Sequence, residues 1–129
     1  LAAVAVPSYS NFIRRGEADA AFGDLQALSL GVEGRFRRLL SYPATPATNN
    51  TTKVKELVAS WGPSSKATAF DFRYTLVDAT TGTYRVSAVG QTTGNFKDCT
   101  LTLEVIRGAA TRFCSDPALC KISCDKIPN

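Results

Sequence analysis

The sequence predicts an α+β fold: a long N-terminal helix packed on a four-stranded antiparallel sheet, followed by a disulfide-held C-terminal tail. Apolar residues first recur every three or four positions, as on one face of a helix. From residue 70 they alternate with polar residues instead, as in half-buried strands. All four cysteines lie after residue 98. At 129 residues and 44% hydrophobic content, we expect one domain, 1–129.

The chain opens with an uninterrupted apolar run, Leu1 to Val6, followed by Pro7. Six residues are far fewer than the roughly 20 that cross a bilayer. We interpret residues 1–7 as the remnant of a longer hydrophobic stem, lost by truncation or processing; the alternative is a buried helix start. Because proline lacks an amide hydrogen and clashes with the preceding turn, we expect Pro7 to kink or break the helix.

Residues 8–41 form the expected spine helix, about 50 Å long at 1.5 Å per residue. Its apolar stripe should pack on the sheet and consists of Phe22, Leu25, Leu28, Val32, Phe36 and Leu39. Basic residues in the last turn suit the negative end of the helix dipole, and a phosphate-binding patch is the alternative; these residues are Arg35, Arg37 and Arg38. The helix should end at Ser41–Pro43, since the residue before proline is pushed out of the α region.

Residues 42–69 should connect the helix to the sheet. Residues 53–60 have the pattern of one or two helical turns, and Trp61-Gly62-Pro63 ends them. We expect Trp61 to anchor this segment on the sheet. Asn49 and Asn50 match the glycosylation acceptor pattern, which we attribute to chance.

The sheet should span residues 70–114. Strands are predicted at 70–76, 84–88 and 101–105, with a short fourth strand or edge at 111–114. The turns between them contain DATTG at 78–82, GQTTGN at 90–95 and Arg107-Gly108. Residues 115–129 are expected to form an irregular tail.

The cysteines predict two disulfides in an oxidising compartment, because they are even in number and clustered. They are Cys99, Cys114, Cys120 and Cys124. Four cysteines allow three connectivities, which remain open. A four-thiolate zinc site is the alternative, but the intervening spacings of 14, 5 and 3 residues lack paired C-x2-C knuckles.

The composition argues against an enzyme. The chain has no histidine, so a Ser-His-Asp or Cys-His arrangement cannot be built within it. No glycine-rich phosphate loop continues into Lys-Ser/Thr, and the carboxylates are scattered. We therefore expect no catalytic residue, no cofactor and no metal.

The net charge of +4 is a mild excess. Five cations in the second half of the chain would form a DNA-binding stripe by counterion release if they converged on one face. They are Lys97, Arg107, Arg112, Lys121 and Lys126. The alternative, which we favour, is that they are solubilising charges partly neutralised by nearby carboxylates.

The order of elements and several segments resemble bacterial type IV pilins. LAAVAVPSYSNFIRRGEA at Leu1–Ala18 is similar to the second half of the pilin N-terminal signature, and RFRRLLSYP at Arg35–Pro43 to the end of the pilin spine helix. Phe70–Gly90 and Cys99–Ile106 are similar to strands of the pilin sheet. The first half of the stem is missing, and with it the peptidase cleavage site and the acidic residue used in assembly, so neither is assigned.

The resemblance implies a structural subunit that assembles through its N-terminal helix and serves adhesion, motility or DNA uptake. The implied assembly residues are Leu1, Val4, Val6, Pro7 and Tyr9. The implied partners are other pilin subunits in an extracellular filament and, before assembly, the inner membrane. Pilins usually carry one C-terminal disulfide; two occur in some minor pilins. The alternatives are therefore a minor pilin that binds extracellular DNA, or a type II secretion pseudopilin.

Overall fold

The computed structural model describes residues 2–64, 69–94, 96–120, 122 and 124–126, with side chains from residue 13 onward except Lys126. The helices are α1 (Ala2–Leu39), α2 (Thr51–Leu57) and α3 (Pro117–Cys120). The strands are β1 (Phe70–Asp78), β2 (Thr83–Gly90), β3 (Thr100–Ile106), β4 (Ala109–Cys114) and β5 (Asp125–Lys126). The α+β class and the long N-terminal helix are as predicted.

α1 is continuous through Pro7, so the helix is not broken there. It ends at Leu39, two residues before the predicted boundary at 41. Leu40 adopts a left-handed conformation (φ 58°), and its amide donates to the Phe36 carbonyl at 2.6 Å. This cap closes the helix before Pro43 is reached.

The apolar stripe of α1 packs on the sheet through only part of its predicted length. Phe22, Leu25, Leu28 and Val32 are fully buried or nearly so. The prediction for Leu39 is wrong, since that side chain is 59% exposed. Val32 is the last buried side chain of α1, and Arg37, Arg38 and Leu39 are exposed. Phe36 is half-buried and stacks on Tyr42, with ring centroids 4.3 Å apart.

The sheet has the order β1-β2-β3-β4-β5, and the first four strands are antiparallel meander neighbours, as predicted. One face packs on α1 and carries the buried apolar side chains of β1, β2 and β3: Phe70, Phe72, Tyr74, Tyr84, Val86, Ala88, Leu101, Leu103 and Val105. The opposite face is mostly polar and includes the Arg85–Glu104 ion pair at 2.7 Å.

The described part of the C-terminal tail contains regular structure that was not predicted. It contains α3 and then β5, which pairs in parallel with β4 at Phe113–Asp125 and Cys114–Lys126. A two-residue strand has no detectable alternation, so the sequence pattern could not reveal it.

All four cysteines are paired, which confirms the prediction of two disulfides. Cys99 is bonded to Cys120 and Cys114 to Cys124, with Cα separations of 5.1 and 5.9 Å. The two closed loops interleave, and Cys99, Cys114 and Cys120 are fully buried. The bridges thus hold α3 and β5 against β3 and β4.

The segment between α1 and β1 is anchored by Trp61, as predicted. Its indole nitrogen donates to the Asp24 carbonyl at 2.9 Å, and its ring meets Phe72 edge-on with centroids 5.3 Å apart. Gly31 of α1 faces Val58, where a Cβ would overlap the valine side chain. Arg35, expected to balance the helix dipole, instead donates to the Leu57 carbonyl at 2.9 Å.

Candidate functional site

The N-terminal half of α1 is the first candidate surface. Val4, Val6, Pro7 and Tyr9 lie within this helix, but their side chains, and Leu1 altogether, lie outside the described residues. The first buried side chain of α1 that the structure describes is Ala18. Ile13, Arg15 and Gly16 are exposed.

Between residues 13 and 17, the described side chains of α1 are therefore exposed or partly exposed, and none is buried in the domain core. Ile13 is 43% exposed there, and a Cβ placed on Gly16 would meet no atom within 4 Å. Such a surface can receive another helix. Among the described helices, none is both long enough and apolar enough to cross a membrane.

The predicted DNA-binding cations that the structure describes do not converge. Lys97 is exposed in the β2–β3 loop, and Arg107 is exposed in the turn at the opposite end of β3, about 20 Å away along the strand. Arg112 lies on the helix-facing side of β4, with its guanidinium carbon 4.9 Å from the centroid of the Phe22 ring. Lys121 and the side chain of Lys126 lie outside the described residues. DNA binding stays a prediction.

A groove that the sequence reasoning did not anticipate lies at the C-terminal end of α1. Its volume is about 400 Å³. The walls come from α1, the loop that follows it, the β1–β2 turn and the β3–β4 turn: Glu33, Phe36, Arg37, Tyr42, Ala79, Thr80, Thr81, Gly82 and Arg107. The groove is the second candidate surface.

A carboxylate–tyrosine cluster forms one wall of the groove. Glu33 accepts hydrogen bonds from the hydroxyls of Tyr42 (3.2 Å) and Tyr84 (3.1 Å). Burial, followed by the charge of Glu33, raises the pKa of both phenols. Burial likewise raises the pKa of Tyr74, whose hydroxyl donates to the Pro43 carbonyl at 2.8 Å. The cluster joins α1 to the sheet.

Two turns in left-handed backbone conformations form the opposite wall. Arg107 (φ 53°) and Gly108 (φ 85°) are the two residues that link β3 to β4, and positive φ at both positions is the pattern of a type I′ turn. The Arg107 amide donates to the carbonyl of Gly82, another left-handed residue (φ 68°). A Cβ on Gly82 would approach the Tyr42 ring to 3.3 Å, so glycine lets this turn close on the ring.

The sequence did contain a signal for this groove. Arg107-Gly108 was predicted as a turn, and turns at 78–82 and 107–108 must lie at the same end of an antiparallel meander. The sequence does not show that the last turn of α1, with Arg37, lies beside these two turns. The described residues contain no group of three or more metal-ligating side chains.

Comparison of the chain with models of protein families, with curated proteins and with solved structures finds no match.

Proposed function

We propose that this chain is a structural subunit of a type IV pilus-like filament, and that it assembles through the N-terminal half of α1. The observation that carries the proposal is how far along α1 the first described buried side chain lies. α1 is 38 residues long, yet its first described buried side chain is Ala18.

A helix that begins with an apolar run and is exposed at Ile13, Arg15 and Gly16 is suited to burial against other copies of itself. Ile13 supplies exposed apolar surface, and burial stabilises by about 25 cal/mol per Å². Gly16, which has open space around its Cα, would allow a second helix to approach closely. The rest of the domain supports the same role, since it is a sheet packed on the C-terminal half of the helix. Two disulfides suit an oxidising setting outside the cytoplasm.

The proposal is tested by placing a charge on the uncovered part of α1. In cells that produce the protein, Ile13→Glu should lower its amount in sheared surface filaments by about tenfold or more, because a helix–helix interface would bury the carboxylate without a partner. The matched control is Thr111→Glu on β4, which is also exposed but lies on the sheet. Both variants should reach wild-type cellular levels.

Equal incorporation of Ile13→Glu and Thr111→Glu into filaments would contradict assembly through this part of α1. Absence of the wild-type chain from surface filaments would contradict the filament role itself.

A further inference from the structure

We propose that the groove beside Arg37 and Arg107 binds a six-membered ring that carries a single carboxylate. This ligand site is independent of the filament role. An acidic saccharide unit and an aromatic acid share the required chemistry. The groove volume of about 400 Å³ lies within the range of about 300–1,000 Å³ found for small-molecule sites.

The charges of the groove favour one negative charge on the ligand. Arg37 and Arg107 are both exposed, and neither forms an ion pair with any described residue. Guanidinium groups are suited to binding a carboxylate by paired hydrogen bonds. Glu33 carries the opposite charge in the same groove, so two cations and one anion leave a net charge of +1. A dianion such as phosphate would face repulsion from Glu33.

The aromatic lining favours a ring attached to that carboxylate. Phe36 and Tyr42 stack at 4.3 Å and an interplanar angle of 12°, and both remain half-exposed in the groove. Flat aromatic surface of this kind packs against a planar ring or the apolar face of a sugar. Glu33 and Tyr84 hold Tyr42 in place through the shared hydrogen bonds, so the lining is preformed.

The backbone conformation of Arg107 independently supports a role for its side chain in binding. The first central residue of a type I′ turn must adopt positive φ, and asparagine, aspartate or glycine is preferred there. Arg107 occupies this position at φ 53°. A conformation that is unfavourable for arginine is retained at a residue that lines the groove, which is typical of a functional position.

The test is a titration of the isotope-labelled full chain followed by NMR. The probes are glucuronate and benzoate, with glucose, benzamide, acetate and inorganic phosphate for comparison. At least one of the two ring carboxylates should shift the amides of Thr80, Thr81 and Arg107 saturably. Glucuronate alone would indicate a saccharide source, benzoate alone an aromatic acid, and both would define a general ring-carboxylate site. The neutral rings and acetate should bind about tenfold more weakly.

Failure of both ring carboxylates to cause saturable shifts would overturn the proposal. Phosphate binding as tight as either ring carboxylate would overturn the preference for a monoanion.

Substitutions can distinguish binding in the groove from nonspecific attraction to positive charge. Arg37→Gln should weaken binding of whichever ring carboxylate binds the wild-type protein about tenfold. Arg38→Gln, one residue further along α1 and outside the groove, should leave that binding unchanged. Arg107→Asn should weaken binding equally and yet raise the thermal midpoint by about 3 °C, because asparagine suits the left-handed turn. Equal loss in Arg37→Gln and Arg38→Gln, or full binding by Arg107→Asn, would refute the assignment of the two arginines.

Discussion

The outer edge of β1 is protected by side chains instead of by another strand. We expect these side chains to contribute measurably to the free energy of unfolding. Asn49 bridges the main chain of Tyr74: its amide nitrogen donates to the Tyr74 carbonyl at 2.7 Å, and its amide oxygen accepts from the Tyr74 amide at 3.0 Å. On either side, the hydroxyl of Thr51 accepts from the Phe72 amide and that of Thr45 from the Leu76 amide, both at 2.8 Å. Two polar residues of the loop and the first residue of α2 thus occupy the positions of a neighbouring strand.

Replacing Asn49 with alanine removes two hydrogen bonds from this edge. Each contributes about 1 kcal/mol net, and water can reach the half-exposed site to solvate the Tyr74 backbone. We therefore expect the free energy of unfolding to fall by about 2 kcal/mol. At roughly 4 °C per kcal/mol for a domain of this size, the thermal midpoint should fall by roughly 8 °C.

Urea denaturation monitored by circular dichroism measures this change, and the m-value should stay constant because the folded and unfolded surfaces are nearly unchanged. Thr48→Ala is the matched control, one residue earlier in the loop, exposed and without a hydrogen bond among the described residues. The freed edge should also make Asn49→Ala aggregate faster than the control at equal concentration. If Asn49→Ala and Thr48→Ala unfold at the same urea concentration, the side chains do not protect the edge as we argue.

Two further predictions concern the tyrosines and the disulfides. Burial raises the pKa of Tyr74 and Tyr84 above the ordinary value of 10.0, so the folded protein keeps protons that the unfolded chain releases. The contribution of these tyrosines to the free energy of unfolding should be constant below about pH 10 and fall above it; urea titrations should show a shallower decline above pH 10 for Tyr84→Phe, and an equal decline would contradict this account. Peptide mapping of the unreduced protein should recover Cys99 linked to Cys120. Replacing both with serine should lower the free energy of unfolding by about 3 kcal/mol, as expected for a closed loop of this length, and a negligible change would show that the tail does not depend on the bridge.

The main elements of the fold could be predicted because their periodicities are local and strong. Alternation along β1 and β2 gave both the strands and their buried faces. The tail could not be predicted in this way, since β5 is held by pairing with β4 and by the Cys114–Cys124 bridge, both of which depend on three-dimensional proximity. The prediction that Leu39 packs on the sheet was wrong because helical periodicity shows which face is apolar but not where the supporting sheet ends.

The two candidate sites also differ in how far local sequence patterns could predict them. The exposure of α1 at Ile13, Arg15 and Gly16 agrees with the expectation that a helix of that length exceeds what a small domain can cover; assembly through this segment stays a prediction. The groove was not anticipated, since it joins Arg37 of the helix to Arg107 of a distant turn, and each arginine alone had an ordinary interpretation. The dispersed positions of Lys97 and Arg112 were also not predicted, because their spacing along the chain does not show how far apart they lie on the folded sheet.

The two proposed surfaces lie at opposite ends of α1. Glu33, beside the groove, is twenty positions after Ile13, or about 30 Å along the helix axis. Packing of the N-terminal halves would therefore leave the groove uncovered and repeat it on every subunit. A single groove with two arginines and a half-open aromatic lining is suited to weak binding. Repetition along a filament would raise the avidity for a polymer with many ring carboxylates by orders of magnitude, without any new contact. Weak binding to the isolated chain and strong retention of assembled filaments on such a polymer are then expected together.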